Sequence, residues 1–467
     1  MRNVAIVMLL VVPAIAAQPA PSSRHNQEPG FHLSVPAHTY DAILARPEVD
    51  RVTLSVLAYR DLEVQVEYGI ESGRYDRQLP VTRLKPNEPS QLVLDHLCGD
   101  SQYFYRLRTR APSVDHFDDA PECSFHTARA PGKSFVFTLT ADSHLDEHTS
   151  SDVYLRTLAN INADHPDFHI DMGNAFMTDK HPSAEEAAAQ YLAQRYYFGQ
   201  IGPRVPLLLA LGTHDGENVR DDDGTADCVA VWANHMRTKL FPNPEPDSFY
   251  SGNSVAKPHR GLLQDYFSWT WGDATFIVLD PFGYSAQGRG MRDGWGWSLG
   301  QAQYLWLKKT LEQSKSRYKF VFIHNLLRGD TASRGGIEFA QFNEWGGKNP
   351  DGTDGFAVHR LGWETSVHQL LVKNHVTAVF RAHDNFYAHQ ELDGIAYQMI
   401  PQPSFAGNDR IRDLDNYGYK LGTFFGNSGH VRVVVGADRV QVEYVRSQPL
   451  QLQGQISDSY SLPLQPR

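Results

Sequence analysis

The chain has 467 residues, with 43 Lys and Arg against 54 Asp and Glu, for a formal net charge of −11. That length gives room for two or three domains with cores of their own, and the composition is globular, which excludes a fibre or a disordered chain. The acidic balance argues against non-specific nucleic-acid binding; it says little about a small substrate.

The chain starts MRNVAIVMLLVVPAIAAQPAPSS. Arg2 supplies the positive start, Ala5–Val12 the short apolar run and Ala14-Ile15-Ala16 the small-x-small cleavage pattern. A secretory signal peptide is predicted over 1–16, too short for a spanning helix, so the mature protein is expected to be secreted or periplasmic with no membrane span. A polar Pro/Gly linker follows over 17–30. Residues 31–128 then read as short alternating strands, among them Arg51–Tyr59, Leu62–Tyr68, Gln91–Leu94 and Tyr103–Arg108. This predicts a small β-sandwich, and it resembles a fibronectin type III-like domain. It holds no polar constellation of a catalytic kind. Cys98 and Cys123 both fall here, and either a disulfide or two buried thiols is compatible with the spacing. Cys228 reads as structural.

From Ser134 strands and helices alternate, so an α/β domain is expected over 133–446. Phe135–His144 (FVFTLTADSH) is a buried strand ending in a polar loop. Ser151–Asn162 is a predicted helix and Phe168–Asp171 a short strand. Ser183 with Glu186 forms a capping box for a helix reaching Phe198. Val205–Leu211, Ala274–Asp280, Tyr318–Ile323 and Val376–Arg381 are buried strands. Ser298 with Gln301 reads as a second capping box, opening a helix to Ser314. Gly394–Gln398 and Val431–Val445 are strand-like again and are expected to close a second sheet. Residues 447–467 are rich in Gln, Pro and Ser and are expected to be a loose tail.

Several strands of this domain end in metal-ligand chemistry. The ends carry Asp142 and His144; Asp171 and Asn174; Thr213, His214 and Asp215; His324 and Asn325; His383, Asp384 and Asn385. In an open α/β sheet the carboxyl ends of the strands are where ligands sit. One His at a strand end is commonly structural. Asp and His at the ends of most central strands have no packing explanation and point to a functional cluster.

The order D-x-H, G-[D/N], G-x-H-D, H and x-H-x-x over residues 134–446 resembles the calcineurin-like metallophosphoesterases, which include the purple acid phosphatases. Glu344–Pro350 and Leu392-Asp393-Gly394 look like a bacterial secreted subgroup. The resemblance implies an α/β fold, two β-sheets packed face to face and flanked by helices. It implies two metal ions activating a water that attacks phosphorus. It makes Asp142 and His144 ligands of the first ion, His324 and His383 ligands of the second, and His214 the acid that protonates the leaving oxygen or the group that steadies the phosphate.

The departures fall on the chemistry. Asn174 stands for the bridging Asp, Thr213 for an Asn ligand, and Ala382 and Asn385 for the Gly and last His of G-H-x-H; Ala175 replaces a hydroxyl-bearing residue. Two divalent ions about 3.5 Å apart repel by roughly 19 kcal/mol even at an effective dielectric near 20. A bridging carboxylate offsets part of that and a neutral amide does not. What remains is Asp142, His144, His324 and His383, with His214 close by, and Asn174, Thr213, Asn385 and Asp171 as weak or indirect partners. Three imidazoles and a carboxylate suit one divalent transition metal, Zn, Fe or Cu, better than Mg or Ca.

The expected function is metal-assisted hydrolysis of a phosphate ester or related small molecule at a mononuclear centre. A mononuclear Fe or Cu redox enzyme and a non-catalytic binding protein on the same scaffold are the alternatives. His165 and His169 read as surface or core-edge residues, and His389 as a strand residue that could swing in for the lost His. Arg328 and Arg381 could meet an anion, although solvated or paired arginines are the default.

Overall fold

The computed structural model describes residues 30–285, 294–327, 333–407, 411 and 413–464. The predicted signal peptide, nearly all of the linker and Arg328 lie outside the described residues. The first strands are β1 (Tyr40–Ala45), β2 (Val52–Ala58), β3 (Leu62–Gly69), β4 (Arg77–Gln78), β5 (Thr82–Leu84), β6 (Ser90–Leu94), β7 (Gln102–Arg110), β8 (Asp118–Asp119) and β9 (Cys123–His126). There follow β10 (Phe135–Thr140), α1 (Ser151–Ala163), β11 (Phe168–Asp171), α2 (Ala184–Gly199), β12 (Leu207–Leu209), α3 (Val229–Leu240), β13 (Ser251–Gly252), β14 (Phe267–Trp271) and β15 (Ala274–Val278). Then come α4 (Gly300–Gln313), β16 (Tyr318–Phe322), α5 (Asn343–Gly346), α6 (Phe356–His359), α7 (Val367–Lys373), β17 (Ala378–Arg381), β18 (Tyr387–Leu392) and β19 (Ile395–Met399). The last strands are β20 (Thr423–Phe425), β21 (Gly429–Val435), β22 (Arg439–Arg446) and β23 (Ile456–Pro463).

Among the described residues one sheet of nine strands runs β23-β22-β21-β10-β11-β12-β1-β2-β6, and a second of eight runs β13-β14-β15-β16-β17-β19-β18-β20. β10, β11 and β12 are parallel, as are β15, β16, β17 and β19. The sheets meet across an aromatic core. The Phe137 ring lies 5.2–6.2 Å from the rings of Phe168, Phe276, Phe320, Phe322 and Phe380. Each such ring contributes about 1.5–3 kcal/mol by burial. Leucines and valines on the outer face of the second sheet pack under α4 and α7. On the first sheet, α2 and α3 cover β1 and β12 while α1 packs on α2. A third sheet, β4-β3-β7-β8 with β5 and β9 attached, packs on β1, β2 and β6. The N-terminal sandwich therefore shares one layer with the α/β part: β1 joins β12 in parallel at Ala45–Leu207.

Ser183 caps α2 as predicted, its hydroxyl accepting from Glu186 N at 3.3 Å. The Ser298 box does not. Its hydroxyl accepts from Gly300 N at 2.9 Å, and it is Gln303 that turns inward, donating to the Asp280 and Leu299 carbonyls. The loose tail is also overturned. Ile456–Pro463 pairs antiparallel with β22 because Leu462 is buried and Tyr460 packs on the central core, between serines that composition alone counts as polar. His169 is fully buried rather than at the surface. The Thr138 and Thr140 hydroxyls sit 2.9 and 2.8 Å from its two ring nitrogens, and burial drives its pKa down to about 3. His165 is exposed.

Cys98 and Cys123 are free thiols, so no disulfide joins them. Cys98 is exposed and Cys228 buried. A maleimide applied to the native protein is therefore expected to label Cys98 first and to reach Cys228 only after denaturation, as read by mass spectrometry. No helix among the described residues is long and apolar enough to cross a membrane.

Candidate functional site

The parallel strands bring their carboxyl ends to one edge, and the predicted residues gather there. Asp142 and His144 follow β10, Asn174 follows β11, Thr213 and His214 follow β12, His324 follows β16, and His383 and Asn385 follow β17. Asp142, His144, Asn174, His383 and Asn385 all have positive φ. Left-handed backbone is uncommon for such residues and collects where a fold holds functional side chains. Two glycines let the loops touch. A Cβ on Gly212 would meet Asn174 N at 2.1 Å, and one on Gly173 (φ +93°) would meet Gly212 N at 2.3 Å.

Asp142 is the hub. Its Oδ2 accepts the His383 backbone N–H at 2.9 Å, and its Oδ1 accepts Asn174 Nδ2 at 2.9 Å. Oδ1 also faces His144 Nε2 at 3.4 Å and His324 Nε2 at 3.7 Å. These two ring nitrogens are buried and have no hydrogen-bond partner. The tautomer of His324 follows from its other nitrogen: Nδ1 lies 2.7 Å from the Met172 carbonyl, which can only accept. Nδ1 therefore carries the proton when the ring is neutral, and burial, outweighing Asp142, holds its pKa below the ordinary value. A neutral His324 presents a lone pair at Nε2 toward a carboxylate oxygen.

The orientation of Asn174 follows in the same way. Its Oδ1 accepts the His214 backbone N–H at 2.8 Å, so its NH2 must be the end on Asp142. Both ends of this amide are thus engaged within the protein. Thr213 Oγ1 lies 3.3 Å from His383 Nδ1. Asn385 Oδ1 is buried without a partner. Asp171 sits behind the cluster: it accepts from Gly173 N and the Thr140 hydroxyl, and burial lifts its pKa to about 8. His389, on β18 of the second sheet, stacks on Tyr460 of β23 in the first, with ring centroids 3.5 Å apart, and Arg381 is tied to the Gly335 carbonyl and the Tyr419 hydroxyl. Among the described residues no group of three or more His, Cys, Asp or Glu side chains is placed so that it could hold a metal ion.

Residues outside the motifs complete the site. His214 Nδ1 donates to Asp179 Oδ1 at 2.8 Å, and Arg220 holds Asp179 Oδ2 at 3.0 Å. Asp179 lies in a single 3-10 turn, Thr178–Lys180, before α2 and has no sequence signal. Asp215, present in the G-x-H-D motif, accepts backbone N–H groups from Gly212, Asn174 and Phe176 and so clamps two loops together. From α2, Gln190 holds the His144 and Ala175 carbonyls, and Gln194 holds Ser143 Oγ. Their signal is two glutamines on a face that is otherwise apolar.

Burial by itself would lower the His144 pKa, but Asp142 and Asp146 outweigh it and lift the imidazolium to about 9. A raised folded pKa stabilises fully below the unfolded value near 6.5 and is lost as pH rises through about 9. Chelator-treated protein is thus expected to lose about 3 kcal/mol of stability across this window, measured by urea melts. A flat profile there would remove the His144–Asp142 ion pair.

No family model matches the chain, and no curated protein matches it in sequence. Solved structures do match. PhoD is 15% identical with a TM-score of 0.64, over 92% of this chain and 90% of that one. The purple acid phosphatase PPD1 from yellow lupin (Lupinus luteus) seeds is 14% identical with a TM-score of 0.61, over 91% of this chain and 74% of that one. At these identities the likeness is one of fold, and the fold is the α/β metallophosphoesterase fold.

Proposed function

We propose that this chain, built on the metallophosphoesterase fold, hydrolyses a phosphate ester with a single divalent transition metal ion. Asp142, His144 and His324 would hold the ion, with His383 beside them. One observation carries this reading: the unpartnered Nε2 of His324 and the Asp142 carboxylate, two acceptors 3.7 Å apart, face each other in a buried pocket. Two such groups repel unless a positive charge lies near them; without metal the His144 imidazolium supplies it, and a bound ion would take the place of that proton. Their imidazole and carboxylate chemistry suits Zn, Fe or Cu. A second ion finds less: Asn174 turns an N–H, not an oxygen, toward Asp142.

When bound, the ion would supply Lewis-acid polarisation of the ester and a nucleophile at neutral pH. The chain's own residues do the rest. Asp179 fixes His214 with its proton on Nδ1, leaving Nε2 to exchange a proton with the leaving oxygen. Arg220 pairs with Asp179 and holds it aligned. Asn174 positions His214 through its backbone and Asp142 through its amide. The leader pattern of residues 1–16 adds export to the proposal.

Metal analysis of the purified protein, paired with a phosphodiester and phosphomonoester assay, tests this. About one equivalent of metal is expected, with turnover lost on chelation and regained with Zn, Fe or Cu. Two tightly held equivalents with vigorous turnover would refute the single-ion centre. Undiminished turnover in metal-free protein would refute the metal's part in it.

A further inference from the structure

The stretch Phe31-His32-Leu33-Ser34-Val35 alternates apolar and polar residues. An extended segment of that pattern turns one edge to the protein and the other to water. Here His32 and Ser34 are exposed, while Phe31, Leu33 and Val35 are half-buried. The segment does not lie on the sandwich that follows it in the chain. Leu33 and Val35 pack instead on a cluster formed by Leu145 with Tyr154 and Leu158 of α1 and Ala193 and Tyr197 of α2.

Leu145 follows His144 directly. It has φ +57°, beside +58° at Asp142 and +50° at His144. Asp and His adopt left-handed backbone more readily than leucine, for which it is an outlier that the surroundings must impose. The His32 backbone N–H donates to the Leu145 carbonyl at 2.7 Å, and no other donor among the described residues reaches that oxygen. The Leu145 side chain is fully buried in the cluster that Leu33 and Val35 cover.

A second route runs through Phe31. Its ring stacks on His181, with centroids 4.1 Å apart. His181 Nε2 donates to Gln190 Oε1 at 2.5 Å, which leaves the Gln190 amide N–H groups for the His144 and Ala175 carbonyls. His181 also closes the turn Thr178–Lys180 that carries Asp179. The backbone leaving His144 is thus held at two successive carbonyls from one short segment, through His32 directly and through Phe31 by way of His181 and Gln190.

We propose that Phe31–Val35 is a strap that positions His144 for the metal ion. The inference rests on the single-ion reading above for the presence of the ion. Phe31 and His32 act through other residues, so both are positioning residues. Loss of either hold is expected to weaken metal binding about ten- to a hundred-fold, the scale of a lost outer partner of a metal ligand.

Phe31→Ala and His32→Pro are made separately in the full-length chain, because each leaves Leu33 and Val35 to anchor the segment. Ser34→Ala, on the exposed edge, is the control. Zinc affinity is read by competition with a chromophoric chelator, and the visible spectrum of the cobalt-loaded protein reports ligand geometry. Both variants are expected to bind zinc about ten-fold or more weakly and to alter the cobalt spectrum. Ser34→Ala should match the parent, and urea melts in chelator should stay close to the parent's for all three. Parent-like zinc affinity and cobalt spectrum in both strap variants overturn the inference, whatever the melts show, and leave the single-ion reading standing. If the parent itself binds no zinc, that reading fails, and deuterium exchange over residues 141–149 of the metal-free protein decides the inference by itself. Faster exchange in the strap variants than in the parent supports it, and equal exchange overturns it.

Discussion

Asn174→Asp is expected to make the protein less stable without metal and more responsive to it. The new carboxylate would still accept the His214 backbone N–H, as Asn174 Oδ1 does at 2.8 Å. Its other oxygen would replace an N–H donor 2.9 Å from Asp142 Oδ1 in a fully buried position. Two buried carboxylates at that distance cannot both stay ionised without a cation. The cost in chelator is expected to be about 3–5 kcal/mol, the scale of an uncompensated buried charge. Excess zinc or manganese should recover most of it, and metal content should rise toward two equivalents. Melts with and without chelator, together with metal analysis, read both outcomes. A variant that melts like the parent in chelator would show that the Asn174 amide does not decide how many ions the pocket accepts.

His214→Ala is expected to lower kcat by about 10²–10⁴-fold while leaving metal content unchanged. Asp179→Asn is expected to move in the same direction by a smaller factor, through kcat more than KM. The carboxylate that accepts from His214 Nδ1 at 2.8 Å would become an amide that no longer favours the imidazolium. The limb of the pH–rate profile that reports His214 should therefore shift to lower pH. Asp179→Ala with an unaltered pH profile would reduce Asp179 to a structural contact.

The strands were legible because each is a short run of β-branched and aromatic residues between turn residues, and burial demands that pattern; their order was not, and Val431–Val445, expected to close the second sheet with Gly394–Gln398, instead pairs with β10 in the first. The donors were legible because Asp142, His144, His324 and His383 sit two to four residues past such strands. Asp179 was not. It lies in a short 3-10 turn and reaches His214 only through the folding of the segment before α2. His169 was misjudged because periodicity cannot show that two threonines on the neighbouring strand would satisfy a buried imidazole. The tail was misjudged because Ser459 and Ser461 conceal an alternating edge strand.

Sequence alone determined the α/β class and the set of ligand-type side chains, since these follow from local hydrophobic period and from residue identity at strand ends. Tertiary structure decided how the set is used. It turned the Asn174 amide so that an N–H, not an oxygen, meets Asp142, and it left the Nε2 atoms of His144 and His324 without hydrogen bonds, facing the same carboxylate oxygen. It also fused the N-terminal sandwich into the main sheet through β1 and β12. Such outcomes depend on which hydrogen bonds are satisfied between segments far apart in the chain, and that information exists only once the loops have met.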